Sequence, residues 1–492
     1  GTYKDDGDAH STPGVSCGIL VSAGYLHTCA LFTDVGKIKC WGSNQYGQLG
    51  NGDSTITNVG DAAGEMGSNL AFVNFGLNPK VVDVQTGFDH TCVLFENGKM
   101  KCFGRNHHGQ LGLSSAVDQI TTVYLEGIED TTFASLGTGR TVVSMSTGSL
   151  GMCVILDNKQ VKCFGTNLQG QLGLGDKLAR GRDANTMGDF LPALNFGTNR
   201  HAVRLFRTAG NTMCVLLNTA ELKCWGANYE FVLGMGIPKD TVNSDGTISS
   251  NTNYIGDQPG EMGDNLIAIA LPTGKTVVQL KVVTHVVVIF DDHTMTAWCR
   301  GGWNLGNKIN GLVGSRLSDM GDDLHLIDLG AANRPVHIML NWRATVVLFD
   351  NGNVVAFGNN QDGSLGSCTS SIYNSGYYIG DVSSDFGGGM RLVDFGTGVK
   401  VRALASNAYN HFCVVTHTNE IKCWGMNDAG QLGLGDINTR GIWQFEMGNN
   451  IPAVDMGYAL APCAGIGQQP VCIFCPAGTF IASGSVTCTS CP

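Results

Sequence analysis

Ten of the 18 cysteines can be assigned a chemistry from their spacing. They are Cys29 and Cys40, Cys92 and Cys102, Cys153 and Cys163, Cys214 and Cys224, and Cys413 and Cys423. Paired thiols either hold a metal or bond to each other, and the chain between them decides which. In "HTCVLFENGKMKCFG" a Val-Leu-Phe run, a Glu96-Asn97-Gly98 turn and a Lys-Met-Lys-Cys-Phe run read as a hairpin, and "VVLFDNGNVVAFG" from Val346 repeats the scheme. A three-residue loop with Gly98 or Gly352 in the left-handed position is a common closure. With three residues in the turn, Phe95 pairs with Lys99, and counting outward sets Cys92 opposite Cys102. The same count sets Cys153 opposite Cys163 about Asp157-Asn158-Lys159, Cys214 opposite Cys224 about Asn218-Thr219-Ala220, and Cys413 opposite Cys423. Cys29 and Cys40 match with one extra loop residue. Facing residues on antiparallel strands lie about 4.5–5.5 Å apart at Cα, within reach of a disulfide.

Two worn hairpins act as an internal control. Where Cys92 and Cys102 have counterparts, one repeat carries Val346 and Ala356 and another Val287 and Ala297. Metal ligands or lone core thiols can be lost singly, whereas a bonded pair is replaced as a pair. The pattern therefore predicts five disulfides, each closing a loop of about ten residues and contributing ~2–3 kcal/mol in the chain-entropy model. Five such bonds imply an oxidising compartment, so the expected location is extracellular, secreted or on a cell surface.

The elements that position these cysteines recur. "KCWGSNQYGQLGNGD" from Lys39 returns as "KCFGRNHHGQLGLSS" from Lys101, "KCFGTNLQGQLGLGD" from Lys162, "KCWGANYEFVLGMG" from Lys223 and "KCWGMNDAGQLGLGD" from Lys422. Worn copies are "AWCRGGWNLGN" from Ala297 and "AFGNNQDGSLGS" from Ala356. The aromatic anchors Trp41, Phe103, Phe164, Trp225, Trp298, Phe357 and Trp424 recur about every sixty residues, with short β-rich runs and no convincing helix between them. The aromatic is expected to face the neighbouring unit, the following Gly to let the chain leave the strand, and Gly-Gln-Leu-Gly to form a turn with one apolar plug. A second phrase, such as "EMGSNLAFVNFG" from Glu65 or "EMGNNIPAVDMG" from Glu446, precedes the first strand of the next unit.

Composition fits this organisation. The 492 residues are 43% hydrophobic and 14% charged, with 69 Gly and 12 Pro, which describes a turn-rich globular protein. A net charge of -11, with lysines spread one per repeat, argues against a nucleic-acid partner. The longest greasy stretch, "VVTHVVVIF" from Val282, is strand-sized, so nothing here is expected to insert in a membrane. The chain starts at Gly1 without a charged-then-apolar leader, so a signal peptide, if there was one, is expected to have been removed.

"AGYLHTCALF" from Ala23 followed by "CWGSNQYGQLG" resembles the regulator of chromosome condensation repeat, and the resemblance covers residues of about 17 to 462. It implies an all-β fold, a seven-bladed β-propeller of four-stranded blades, over 17–462. The implied blades are 17–78, 79–139, 140–200, 201–275, 276–334, 335–398 and 399–462, after an acidic N-terminal segment 1–16. Radial closure leaves only short, protected sheet edges. A closed ring would also bring Cys17 near Cys463. Cys299, which replaces a Gly in the most divergent repeat, and Cys368 sit in adjacent units and form another candidate pair.

Residues 463–492 form a different unit, with five cysteines. Cys472-x2-Cys475 and Cys488-x2-Cys491 can be read as a zinc ribbon, but the spacer is short for one. "CPAGTF" with a closing "CTSCP" resembles the small cysteine-rich modules of growth-factor-receptor and ephrin-receptor type, which implies disulfides Cys472–Cys488 and Cys475–Cys491 and no bound metal.

Catalytic patterns do not assemble. "PTGKT" from Pro272 imitates a phosphate loop, but Ile269 stands where a Gly is needed. His27, His90, His285 and His411 occupy one repeat position and could line a channel, but separate blades favour a structural role. "DDGDAH" from Asp5 lacks a calcium-loop spacing, "GRD" from Gly181 is preceded by Arg180 rather than being an Arg-Gly-Asp motif, and no Asn-x-Ser/Thr sequon occurs. No enzyme activity and no cofactor are expected. The functional expectation is an extracellular structural or adhesive building block of a filament, matrix or surface assembly. Its partners would be proteins, either its own copies or other extracellular components. The alternative is a secreted protein-binding module using one propeller face. A guanine-nucleotide-exchange-like regulator is more remote.

Overall fold

The computed structural model describes residues 18–53, 55–76, 79–115, 133–206, 208, 210–235, 254–300, 312–314, 316–360, 362–366, 378–379, 387, 390–405, 409–457, 479–481 and 488–490. Among these, seven three- or four-stranded antiparallel sheets follow one another along the chain, with strands at 19–59, 81–104, 142–165, 202–226, 277–313, 335–379 and 401–425. We number them blades 1 to 7. A separate antiparallel pair joins Thr479–Ile481 to Cys488–Ser490, inside the segment read as a cysteine-rich module. The rest of that segment lies outside the described residues.

Blade 1 shows the plan. An inner strand Ile19–Ala23 pairs with His27–Phe32, which pairs with Lys37–Ser43, and a two-residue outer strand Asn58–Val59 completes the sheet. Every residue of His27–Phe32 is buried, and the same holds for His90–Phe95, Ala344–Phe349 and His411–Thr416. A strand solvated on one face would alternate. These are covered on both faces by the neighbouring blades, which is why the sequence reads "HTCALF" rather than apolar-polar-apolar.

The outer strand is the variable part. In blades 3, 4 and 7 it contracts to one bridged pair, Gly165 with Arg180, Gly226 with Ile255 and Gly425 with Arg440. The next residue stops it: Gly181, Gly256 and Gly441 have φ near +90°, +94° and +94°. A Cβ there would meet the carbonyl oxygens of Gly109, Gly170 and Gly363 in the preceding blade at 2.3, 2.7 and 2.4 Å. Extended pairing ends where the chain presses its backbone against its neighbour.

The hairpin register is the one counted from sequence: Cys92 faces Cys102, Cys153 faces Cys163, Cys214 faces Cys224, Cys413 faces Cys423, and Cys29 faces Cys40. Phe95 N–H donates to Lys99 O at 2.9 Å and Gly98 N–H to Phe95 O at 2.9 Å. Gly98 and Gly352 are left-handed, and Lys159, Ala220, His293 and Asn419 accept the same strain at φ of 62–67° in the sister turns.

Candidate functional site: a pinned ring and its axial mouth

The five hairpin cysteine pairs lie at bonding distance, each with Cα atoms 4.1 Å apart. The worn hairpins hold Val287 against Ala297 and Val346 against Ala356 in the same register, and all four side chains are buried. Cys299 is buried and faces Val313 across the third and outer strands of blade 5. Its candidate partner Cys368 lies outside the described residues, as do Cys17, Cys463, Cys472, Cys475 and Cys491. Cys488 opens the last short strand.

The Lys that precedes four of these cysteines has a role that spacing did not reveal. Lys39 Nζ donates to Gly67 O at 3.1 Å and Met456 O at 2.6 Å. Lys162 donates to Leu136 O and Gly188 O, both at 2.8 Å. Lys223 reaches Phe196 O at 3.0 Å and Gly263 O at 3.2 Å, and Lys422 reaches Phe395 O and Ile451 O, both at 3.0 Å. In each case the two carbonyls belong to the segments that follow the strands of two consecutive blades, so one ammonium ties two blades together. Burial lowers the pKa of Lys39, Lys162 and Lys223 below the usual lysine value. Asp455, Asp189 and Asp264 respectively oppose that shift.

The repeated histidines join blades in a second layer. His27 Nε2 lies 3.0 Å from Thr91 Oγ1 of blade 2, and His285 Nε2 lies 2.9 Å from Thr345 Oγ1 of blade 6. His411 Nε2 of blade 7 lies 2.7 Å from Thr28 Oγ1 of blade 1. His27, His90, His285 and His411 are fully buried. Burial brings His27, His285 and His411 down to about 3, His27 with added repulsion from His90 and His411. They are neutral hinges between blades.

At the end of the ring that carries the loop after each inner strand, the chain builds an aromatic mouth. Tyr25 N–H donates to Phe88 O at 3.3 Å, Phe88 N–H to Ser149 O at 3.0 Å and Ser149 N–H to Gly210 O at 3.5 Å, linking blades 1 to 4. Tyr25 and Phe88 stack with ring centres 3.9 Å apart. Tyr409 of blade 7 stands edge-on to both at 6.1 and 5.6 Å and donates its hydroxyl to Ser149 Oγ of blade 3 at 3.3 Å. Opposite, Thr284 donates to Trp342 O at 3.1 Å, leaving the Trp342 ring 49% exposed. Tyr25 and Phe88 are half-buried and Trp342 is exposed, whereas Tyr409 is fully buried and lies beneath the mouth rather than facing solvent; the group offers no nucleophile with a base beside it.

The imitation phosphate loop is a clamp. Thr273 donates through its backbone N–H and its hydroxyl to Asp322 at 2.6 and 2.8 Å, and Lys275 is bonded to Asp292 and Thr294. Thr198 with Asp264 and Thr138 with Asp189 repeat the Thr–Asp clamp. "DDGDAH" lies outside the described residues.

The family profile for the regulator of chromosome condensation (RCC1) repeat matches residues 19–48, 81–110 and 401–431. The human X-linked retinitis pigmentosa GTPase regulator is 32% identical over 160 residues, covering 32% of this chain and 14% of the relative. This chain thus spans about a seventh of that protein. The Ultraviolet-B receptor UVR8 of Arabidopsis thaliana is 21% identical over 426 residues, covering 85% of this chain and 79% of the relative. Among solved structures, Prp20p from Saccharomyces cerevisiae, described with its binding properties to Gsp1p and histones, superposes with a TM-score of 0.57 at 14% identity over 86% of each chain. Yeast RCC1 (Prp20) with Kap60 bound gives 0.56 at 13% identity, over 89% of this chain and 84% of that one. The chain therefore carries RCC1 repeats, folded into an all-β propeller like that of yeast Prp20.

Proposed function

We propose that this chain is an extracellular protein-binding scaffold, working as a rigid building block of a filament, matrix or surface assembly. The observation that carries the reading is the set of five cysteine pairs at bonding distance beside two blades in which both partners are replaced together. Selection on a bond, rather than on single thiols, explains that pattern, and an oxidising compartment is where such bonds persist. The resemblance of residues 463–492 to modules that come in arrays supports a place in a larger architecture. So do exposed apolar groups on the ring, including Phe445, 68% exposed and stacked on Trp443 at 6.2 Å. A disc with two unlike faces makes heterologous contacts, which propagate when the rotation does not close.

Yeast Prp20 is described with Kap60, Gsp1p and histones; for this chain the coarser inference is a protein partner. The second reading, a soluble binder of a single partner, is favoured by the aromatic mouth of Tyr25, Phe88 and Trp342, floored by the buried Tyr409. Guanine-nucleotide exchange is the weaker third reading, because it belongs to a reducing compartment. Weighing native material at micromolar concentration, together with a non-reducing peptide map, separates them. Oligomers with the five bonds intact support the assembly. A strict monomer that binds one soluble protein through the mouth replaces it with the second reading, and free thiols at most of the ten positions overturn the extracellular assignment.

A further inference from the structure

The repeats offer a comparison inside the molecule. Two residues after the buried plug leucine, blades 2, 3, 4 and 7 carry Leu113, Leu174, Met235 and Leu434. Each packs against a cluster that includes the hairpin cysteine, the plug leucine and a residue of the following phrase: in blade 3 these are Cys163, Leu172 and Leu194. Blade 1 has the same walls in Cys40, Leu49 and Val73, but at the fourth position it has Asn51, which is exposed. Asn51 Oδ1 turns away to accept from Asn44 Nδ2 at 3.0 Å and Asp53 N–H at 3.3 Å. Beside Asn51, which forms part of its wall, an open groove of about 570 Å³ is lined by Cys40, Leu49, Val59, Leu70, Phe72 and Val73, larger than one leucine side chain. Glu65 is the one charged residue in its lining, and its carboxylate Oε2 accepts the Gly60 and Ala62 N–H groups at 2.8 and 3.0 Å.

We infer that this groove binds a short segment of a partner polypeptide that lays one leucine-like aliphatic side chain against Cys40, Leu49 and Val73. The sister blades show the chemistry that fits the walls, and Glu65 selects a segment that is neutral or cationic where it enters, because a carboxylate brought beside it would be repelled. The site lies within blade 1, apart from the axial mouth, and does not depend on the compartment or on self-assembly.

The test uses the full oxidised chain with labelled methyl groups and acetyl-Gly-Leu-Gly-amide as probe. Saturable shifts at Leu49, Leu70 and Val73 are expected, with acetyl-Gly-Asn-Gly-amide binding about tenfold more weakly or worse, the ratio that burying an aliphatic side chain supplies. N-acetyl-leucine with a free carboxylate is expected to bind more weakly than leucinamide. Asn51→Leu, and independently Asn51→Met, supply the missing side chain from within. Both are expected to raise the unfolding midpoint and weaken binding several-fold while leaving the remaining spectrum in place. Equal binding of the Leu and Asn peptides, undiminished binding to both filled variants, or no saturable shift in the parent chain would overturn the assignment.

Discussion

Trp41 donates its indole N–H to the backbone oxygen of Gln431 at 3.0 Å, across 390 residues of sequence. It is the seam of the ring. Trp225 to Gln171, Trp298 to Val232 and Trp424 to Ser364 make the same bond, at 3.0–3.1 Å, between consecutive blades. The last and first blades thus use the contact found at the other three junctions with a Trp anchor, and Lys39 to Met456 and His411 to Thr28 repeat the equivalence in two further layers.

If the seam is an ordinary blade junction, Trp41→Phe and Trp225→Phe should weaken the fold alike. Each loses one buried hydrogen bond and a little packing, about 1–2 kcal/mol. Denaturant unfolding of the oxidised chain checks this. A neutral Trp41→Phe beside a costly Trp225→Phe would mean that the ring is open at the seam.

The hairpin cysteines give a second expectation. Replacing Cys92 and Cys102 together by the Val and Ala found in blade 6 should preserve folding at a cost of about 2–3 kcal/mol, the loop-closure contribution of one such bond. Cys92→Ala alone should cost more, since it leaves both a cavity and an unbonded buried thiol. Equal stability for parent and double variant in non-reducing buffer would show that the pair is not bonded.

The facing cysteine pairs were legible because a hairpin is local: the turn sets the register, and the register sets which cysteines meet. The plug leucines and buried anchors were legible for a similar reason, since repetition exposes any position that is always apolar. The lysine clamps were not, although the Lys sits beside the Cys in "KCWG". Its partners are backbone oxygens of two different blades, and carbonyls carry no mark in a sequence. The histidines were read correctly as blade residues, but the threonine partners of His27 and His285 sit about sixty residues away in the next blade, and Thr28 meets His411 across 383 residues only through closure. Asn51 was visible as a departure from Gly-Leu-Gly; that it lines an open groove depends on packing.

The clamps can be tested at Lys162. Lys162→Met keeps the aliphatic stem and removes the ammonium, leaving Leu136 O and Gly188 O without that donor. The expected loss is about 2–4 kcal/mol, the range for unsatisfied buried acceptors of a charged donor. Lys159→Met, on an exposed turn, should change stability by less than about 0.5 kcal/mol. Urea midpoints for the two variants check the contrast, and similar values for both would remove the clamp's energetic role.

The buried imidazoles fix how stability responds to pH. His27, His285 and His411 ordinarily titrate at 6.5, and burial takes them to about 3. Above the ordinary value both folded and unfolded chains are neutral at these positions, and their contribution is fully present. Between about 6.5 and 3 the unfolded chain takes up protons that the folded chain refuses, so stability falls as the pH falls. The slope approaches about 1.4 kcal/mol per pH unit per histidine, or ~4 kcal/mol per unit for the three together. Most carboxylates titrate below about pH 5, so unfolding measured from pH 7 down to about 5 reports mainly on histidines. His285→Gln keeps a donor for Thr345 and removes one titrating group; it should reduce the slope by about one proton, changing stability little at pH 7 and leaving the variant about 2 kcal/mol less penalised than the parent at pH 5. An unaltered slope in this variant would mean that His285 is charged in the folded protein, and the neutral hinge between blades 5 and 6 would have to be abandoned.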